Sequence, residues 1–271
     1  MEKITKDPSN KVVVVMPAYN AESTLKKTLY DIPVEYVDEI ILVDDNSRDK
    51  TIEVTKDIVK NSNIFYLDEG DKLTRSEDKI PVSIFRHANN RGYGGNQKTC
   101  YTEALKRGAT IIVMLHPDYQ YDPKLIKYFV EFIEDGYFDV ILGSRIRTRR
   151  EALAGGMPHY KYVANRFLTL MENLVSGQNL TEWHTGMRGY SKKVLEKVDF
   201  MSNSDDFVFD TQMLFKIIEE GFVIGEIPVP VRYFPEASSI NFSRSLKYGL
   251  HTVYESLKHL SKKVFSKVTD A

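Results

Sequence analysis

"KVVVVMPAYNAESTLKKTLYDIPVEYVDEIILVDD", residues 11–45, decides the fold. Its first seven residues, KVVVVMP, are a continuous β-branched run, too short to span a membrane and suited to a strand covered on both faces. "AESTLKKTLYDI" then reads as a helix, and "DEIILVDD" (38–45) as a second buried strand. The alternation continues. In "NSRDKTIEVTKDIVK", Ile52, Thr55, Ile58 and Val59 recur at helical spacing, "PVSIFRH" (81–87) is a third strand, and "GGNQKTCYTEALKRG" is a helix ending at Gly108. "TIIVML" (110–115) is a fourth strand, followed by the helix "PKLIKYFVEFIEDG", with Pro123 in its first turn and Gly136 after it. "FDVILGSR" (138–145) is a fifth strand. Repeated units of this kind predict an α/β fold: a mostly parallel central sheet flanked by helices.

The composition fits that class. Of 271 residues, 42% are hydrophobic and 28% charged, as in an ordinary globular chain. A formal net charge of −1 gives no reason to expect nucleic acid as a partner. The single cysteine, Cys100, excludes an internal disulfide framework and suits a reducing compartment. "MEKITKDPSN" has no apolar signal region, and no apolar run approaches the roughly 18–20 residues of a membrane span, so a cytoplasmic location is expected.

Downstream, "LDEGDKLTRSEDKI" (67–80) reads as an exposed, charged insertion. "HYKYVANRFLTLMENLVSG" (159–177) and "DFVFDTQMLFKIIEEG" (206–221) are helices, and the prolines of "FVIGEIPVPVRYF" mark an edge strand. No linker-like break or internal repeat divides the chain, so residues 1–240 form one domain and 241–271 a helical tail. In the tail, Leu246, Leu250, Val253, Leu257, Leu260 and Val264 make one apolar stripe, among six Lys or Arg against Glu255 and Asp270. Such a basic amphipathic helix docks on its own domain, pairs with a second copy in a homo-oligomer, or lies on an anionic membrane as a peripheral contact.

In open α/β sheets, ligands bind outside the carboxyl ends of the strands. Those ends carry "PAYNAE" (17–22), "DDNS" (44–47), "NNRGYGGN" (89–96), "HPDYQ" (116–120) and "GSR" (143–145). Singly, each has a plain reading: DDNS as a helix cap, and GYGG as a turn that does not match G-x-G-x-x-G. Together they put five polar strand ends on one edge. In extended backbone, His116, Asp118 and Gln120 also point to one side.

With these motifs in this order, the chain resembles a family 2 glycosyltransferase of the GT-A (Rossmann-like) fold over roughly residues 10–240. It is most similar to the dolichyl- or polyprenyl-phosphate sugar synthases. The resemblance implies inverting transfer of a sugar from a nucleotide diphosphate (UDP or GDP) to a lipid-linked acceptor, with Mg²⁺ or Mn²⁺ as cofactor. His116, Asp118 and Gln120 stand where the family's D-x-D-x-Q metal ligands fall, with His replacing the first Asp. Pro17, Tyr19, Glu22, Asp44, Asp45 and Gly92 correspond to the nucleotide-binding positions. Arg145 corresponds to an arginine on the acceptor phosphate, and Lys161 and Asn165 stand at two further acceptor positions. "EWHTGMRGY" (182–190) resembles the family's D-x-x-S-G-F-R, which implies His184, Thr185 and Arg188 on the acceptor side or, alternatively, a turn packed under Trp183. A hydroxyl acceptor would instead need a general base, for which Asp205 and Asp206 are the candidates. A nucleotide-sugar-binding protein without transfer activity is the reading from a different class.

Overall fold

A computed structural model of the chain describes residues 6–68, 79–146, 148–230 and 242–269. In chain order the elements are β1 (Val12–Ala18), α1 (Leu25–Tyr30), β2 (Glu39–Asp44), α2 (Thr51–Lys60), β3 (Phe65–Leu67), β4 (Ile80–Arg86), α3 (Gly92–Lys106), β5 (Ile111–Met114), α4 (Ile126–Glu134) and β6 (Val140–Ser144). They continue with α5 (Arg149–Ala154), α6 (His159–Ser176), β7 (Arg188–Ser191), α7 (Lys192–Lys197), α8 (Phe209–Glu219), β8 (Ile224–Pro228) and α9 (Phe242–Thr269). The strands form one sheet in the order β3-β4-β2-β1-β5-β7-β6-β8. Every pairing is parallel except those of β7, which runs antiparallel between β5 and β6.

The mostly parallel α/β sheet expected from the β-branched runs is present. In β1 the alternation of the pleat divides the core in two. Val12, Val14 and Met16 pack with Leu25, Leu29 and Phe129 from α1 and α4, while Val13 and Val15 pack with Tyr101, Phe209 and Met213 from α3 and α8. β8 is an edge strand, as its prolines predict.

Three boundaries differ from expectation. The third expected strand is β4, joined by the unanticipated three-residue β3, and most of the charged insertion between them lies outside the described residues. α8 begins at Phe209, because residues 203–208 form a turn in which the Asp206 amide donates to the Ser204 hydroxyl at 3.1 Å. The tail is helical, but among its described side chains Leu246, Leu250, Leu257 and Leu260 are exposed, while Thr252, Ser256 and His259 are buried. Val264 lies outside the residues whose side chains are described.

The start of α3 leans directly on the turn before α8. The Gly94 amide donates to the Asp205 carbonyl at 2.8 Å, and a Cβ on Gly94 would sit 2.8 Å from the Phe209 Cβ and closer still to the Ser204 carbonyl. Gly94→Ala is therefore expected to force backbone apart and lower stability by roughly 1–3 kcal/mol. Urea unfolding monitored by circular dichroism measures it.

Candidate functional site

The carboxyl ends of β1, β2, β4, β5 and β6 open on one edge, and the antiparallel β7 brings its first residue, Arg188, to the same edge. The segment 182–187 consequently faces the loops after β5 and β6.

At the β1–β2 side, Asp44 is fully buried. Its Oδ2 accepts the Ser47 amide at 3.1 Å, while its Oδ1 has no hydrogen-bond partner. An orphaned carboxylate oxygen at a strand end suits a donor from a ligand, such as a base N–H or ribose hydroxyl. Tyr19 is exposed beside it, and Glu22 accepts the Lys50 amide at 3.0 Å. Three other expected contacts are corrected. Pro17 lies buried within β1, paired in register with Val43. Asp45 is consumed internally: its carboxylate accepts the Arg91 amide at 2.7 Å and the Gly92 amide at 3.0 Å and meets His87 Nδ1 at 2.7 Å. Gly92 serves the turn itself, with φ +84 and the Asp205 carbonyl 2.6 Å from where its Cβ would stand. The Gly94 and Gly95 amides are spent on that same carbonyl, so these opening amides of α3 do not form a phosphate cradle.

The 116–120 segment is not extended. β5 ends at Met114, the chain turns at Pro117, and Tyr119 takes the left-handed region with φ +57. The alternation expected of His116, Asp118 and Gln120 is therefore lost. Gln120 is buried, and its amide donates to Asp118 Oδ1 at 3.0 Å. His116 stacks on Tyr93 with centroids 5.4 Å apart and lies against Gly186. Burial pushes the Asp118 carboxyl above the usual carboxylate range, opposed by the charges of His116 and Arg145. The donors that remain together are one imidazole and one carboxylate, and among the described residues no group of three or more His, Cys, Asp or Glu gathers.

At the β6 end, Arg145 does not present an unpaired fork. Its Nε donates to Glu182 Oε1 at 2.9 Å, a terminal nitrogen donates to the same carboxylate and to the His184 carbonyl at 2.7 Å, and its amide donates to Glu182 Oε2 at 2.7 Å. Asn165 of α6 donates to Glu182 Oε1 at 2.9 Å. Burial would raise the Glu182 carboxyl, but the Arg145 charge and bonds outweigh it and hold the group below the usual range. Glu226 of β8 in turn accepts the Thr181 and Glu182 amides at 2.6 and 3.0 Å. Lys161, one turn before Asn165, has no carboxylate partner among the described residues. Burial and the neighbouring Arg145 charge push its pKa down.

Arg188 is another correction. It is fully buried, donating to the Thr185 and Trp183 carbonyls at 2.9 Å each, with Asp210 at 3.5 Å. Burial disfavours its charge, but Asp210 and the surrounding tyrosines keep it protonated. Asp210 also accepts the Tyr93 hydroxyl at 2.8 Å, so this buried pair props the ring on which His116 stacks. Thr185 is equally buried, its hydroxyl on the Gly143 carbonyl. His184 points away from the opening, with Nδ1 2.6 Å from the Tyr248 hydroxyl and Nε2 3.1 Å from Glu172. Asp205 pairs with Lys98 at 2.6 Å and Asp206 with Lys247 of α9 at 2.9 Å. For Asp206, burial acts upward, but Lys247 and the Phe207 amide prevail and hold the carboxyl below its usual range. Glu226, Asp210 and Tyr93 escaped the sequence reading, which offers no signal for them beyond polar residues amid apolar runs.

A mostly parallel sheet whose polar strand ends open on one edge is a ligand-binding architecture, and similarity to known proteins gives its class. Residues 13–199 match the family described as Glycosyl transferase family 2, and the chain belongs to that family. An uncharacterized protein of Methanocaldococcus jannaschii is 28% identical over 86% of this chain and 85% of its own. The UDP-N-acetylglucosamine–dolichyl-phosphate N-acetylglucosaminyltransferase of Methanococcus voltae is 27% identical over 82% of this chain and 86% of its own. Among solved structures, glucosyl-3-phosphoglycerate synthase of Mycobacterium tuberculosis, in complex with Mn²⁺, UDP-glucose and phosphoglyceric acid, matches with TM-score 0.65 at 14% identity, over 93% of this chain and 80% of that one. At that identity the likeness speaks for the fold, which is GT-A.

Removing Glu182 strands the Arg145 charge in a buried setting, which typically costs roughly 3–5 kcal/mol. Glu182→Ala should lose about that much in urea unfolding, whereas Asp206→Ala, at a solvent-screened pair, should lose under about 1 kcal/mol.

Proposed function

We propose that this chain transfers a sugar, with inversion, from a UDP- or GDP-sugar to a lipid-linked acceptor, a polyprenyl phosphate. The observation that carries this reading is the juxtaposition of Lys161 and Arg145. Lys161 is a cation with no carboxylate partner among the described residues, its charge disfavoured first by burial and then by the Arg145 charge, and an arriving phosphate supplies the missing counter-charge. The M. voltae relative, a transferase named for dolichyl phosphate, supports the same acceptor class.

The chemistry asks little of a base. A phosphate oxygen already carries the electron pair that forms the new bond to the anomeric carbon, while the old bond breaks toward the departing nucleoside diphosphate. Asp206, tied to Lys247 and held acidic, is a poor proton acceptor, which disfavours the hydroxyl-acceptor alternative. Asp44, through its unpartnered oxygen, is assigned to the nucleoside, with exposed Tyr19 and Glu22 at the same edge. Asp118 and His116 are the residues that would hold Mg²⁺ or Mn²⁺, and such a cation would supply positive charge to the departing diphosphate. Gln120, buried on the turn, is left out of that set. Among the described residues no helix is long and apolar enough to cross a membrane, and the basic α9 supports a peripheral station at the inner membrane face.

The deciding assay supplies sugar nucleotides with a short-chain polyprenyl phosphate or with the matching polyprenol. Nucleotide release is expected only with the phosphate, and Asp206→Asn should retain most of it. Release with the polyprenol that Asp206→Asn abolishes, with donor binding intact, would transfer the reading to a hydroxyl acceptor. Asp118→Asn should lose Mn²⁺ binding by calorimetry as well as turnover.

Acceptor affinity should also fall with rising pH. Lys161 holds its proton below its lowered pKa and loses it as pH rises through that value, short of the ordinary 10.5. The alkaline rise in the acceptor's KM should disappear in Lys161→Gln.

A further inference from the structure

α6 is built inside out. Its buried face carries Asn165, Thr169, Glu172 and Ser176 beside a single Leu168, while Val163, Phe167, Leu170 and Leu174 stand 59–76% exposed. With Tyr160 they follow steps of three and four, one stripe along the helix. α9 repeats the inversion: Thr252, Ser256 and His259 face in, while Leu246, Leu250, Tyr254 and Leu257 stand 58–63% exposed. The two helices pack together, with Gly249 of α9 against Leu168 of α6.

Neither helix can turn its stripe inward without loss. Asn165 is bonded to Glu182, Glu172 accepts the Thr211 hydroxyl at 3.0 Å, and His259 meets Glu219 at 2.8 Å. These nine large apolar side chains thus stand exposed along two neighbouring helices, where a soluble surface ordinarily scatters such residues singly.

We infer that α6 and α9 together form a seat for an anionic lipid bilayer, α6 supplying the apolar half that the tail alone lacks. The charges choose this occupant. Arg166, Arg244, Lys247, Lys258 and Lys262 border the stripes, whereas of the two helices' described acids Glu172 is buried and accepts the Thr211 hydroxyl, and Glu255 is half-buried and held by Gln212 and Lys258. A second copy docked on the same patch would bring these cations together, since a two-fold interface pairs a surface with itself. Lipid headgroups answer them with the opposite sign. Lys161 and Asn165 lie on α6, so the acceptor corner stands within about one helix diameter, ~10–12 Å, of the seat. The inference deepens the lipid-acceptor reading but is tested without it.

The full chain is sedimented with phosphatidylcholine vesicles with and without phosphatidylglycerol, across a salt series. Wild type should partition onto the anionic vesicles and release as salt rises. Phe167→Ser with Leu174→Ser, and separately Leu250→Ser with Leu257→Ser, should each cut partitioning by at least about tenfold with nucleotide binding unchanged. Partitioning that the α6 pair leaves intact overturns the shared seat. So does a wild type that ignores vesicles but sediments as a dimer which the variants dissociate. Turnover of a water-soluble short-chain acceptor, measured in parallel, separates a failed seat from a failed acceptor assignment.

Discussion

The carboxylate of Glu182 ties the β6–β8 side of the molecule together. It is fully buried, and it receives the Arg145 backbone and side chain from the end of β6 and Asn165 from α6. Its own backbone is received by Glu226 of β8. One charged group thus sets the spacing of two strands, a loop and a helix around the corner where Lys161 stands. A buried carboxylate is tolerable there only because its bonds are charge-assisted, from a guanidinium and from amides in fixed positions.

The same economy runs through the donor side. Asp45 and the Asp205 carbonyl take up the amides of the glycine-rich turn, so that turn is spent on internal bonds rather than on a ligand, and the proposed donor contacts reduce to Asp44, Asp118 and His116. Behind them, buried Arg188 and Asp210 hold Tyr93, and Tyr93 holds the imidazole. Polar residues that look like ligand contacts in one dimension are here the supports of the residues that face the opening.

This explains what the chain discloses before it folds. Continuous β-branched runs announce the parallel strands because burial on both faces demands them, whereas β7, four residues reading RGYS, has no such signature. Strand ends are legible and so, with them, is the edge that carries the site. The direction of each side chain at that edge is not. Pro17, Asp45 and Arg188 share an address with the exposed Tyr19 but turn inward, and the Tyr119 backbone breaks an alternation that strand periodicity promised. The outward stripe of α6 was hidden for a related reason: a helix with apolar and polar faces states that it is amphipathic, not which face meets the protein.

α9 touches the body at telling places. Tyr248 reaches His184 at 2.6 Å, directly behind the Arg145–Glu182 corner, and Lys247 reaches Asp206 at 2.9 Å at the mouth of the turn that closes α3. Through these two contacts the helix acts as a latch on the body. Lifting it would leave a buried imidazole beside Glu172 without its phenol, and would free the loop on which the α3 glycines rest. A chain whose last helix is gripped from outside can thus transmit that grip as a change in the firmness of its own catalytic floor, with no part of the sheet having to move.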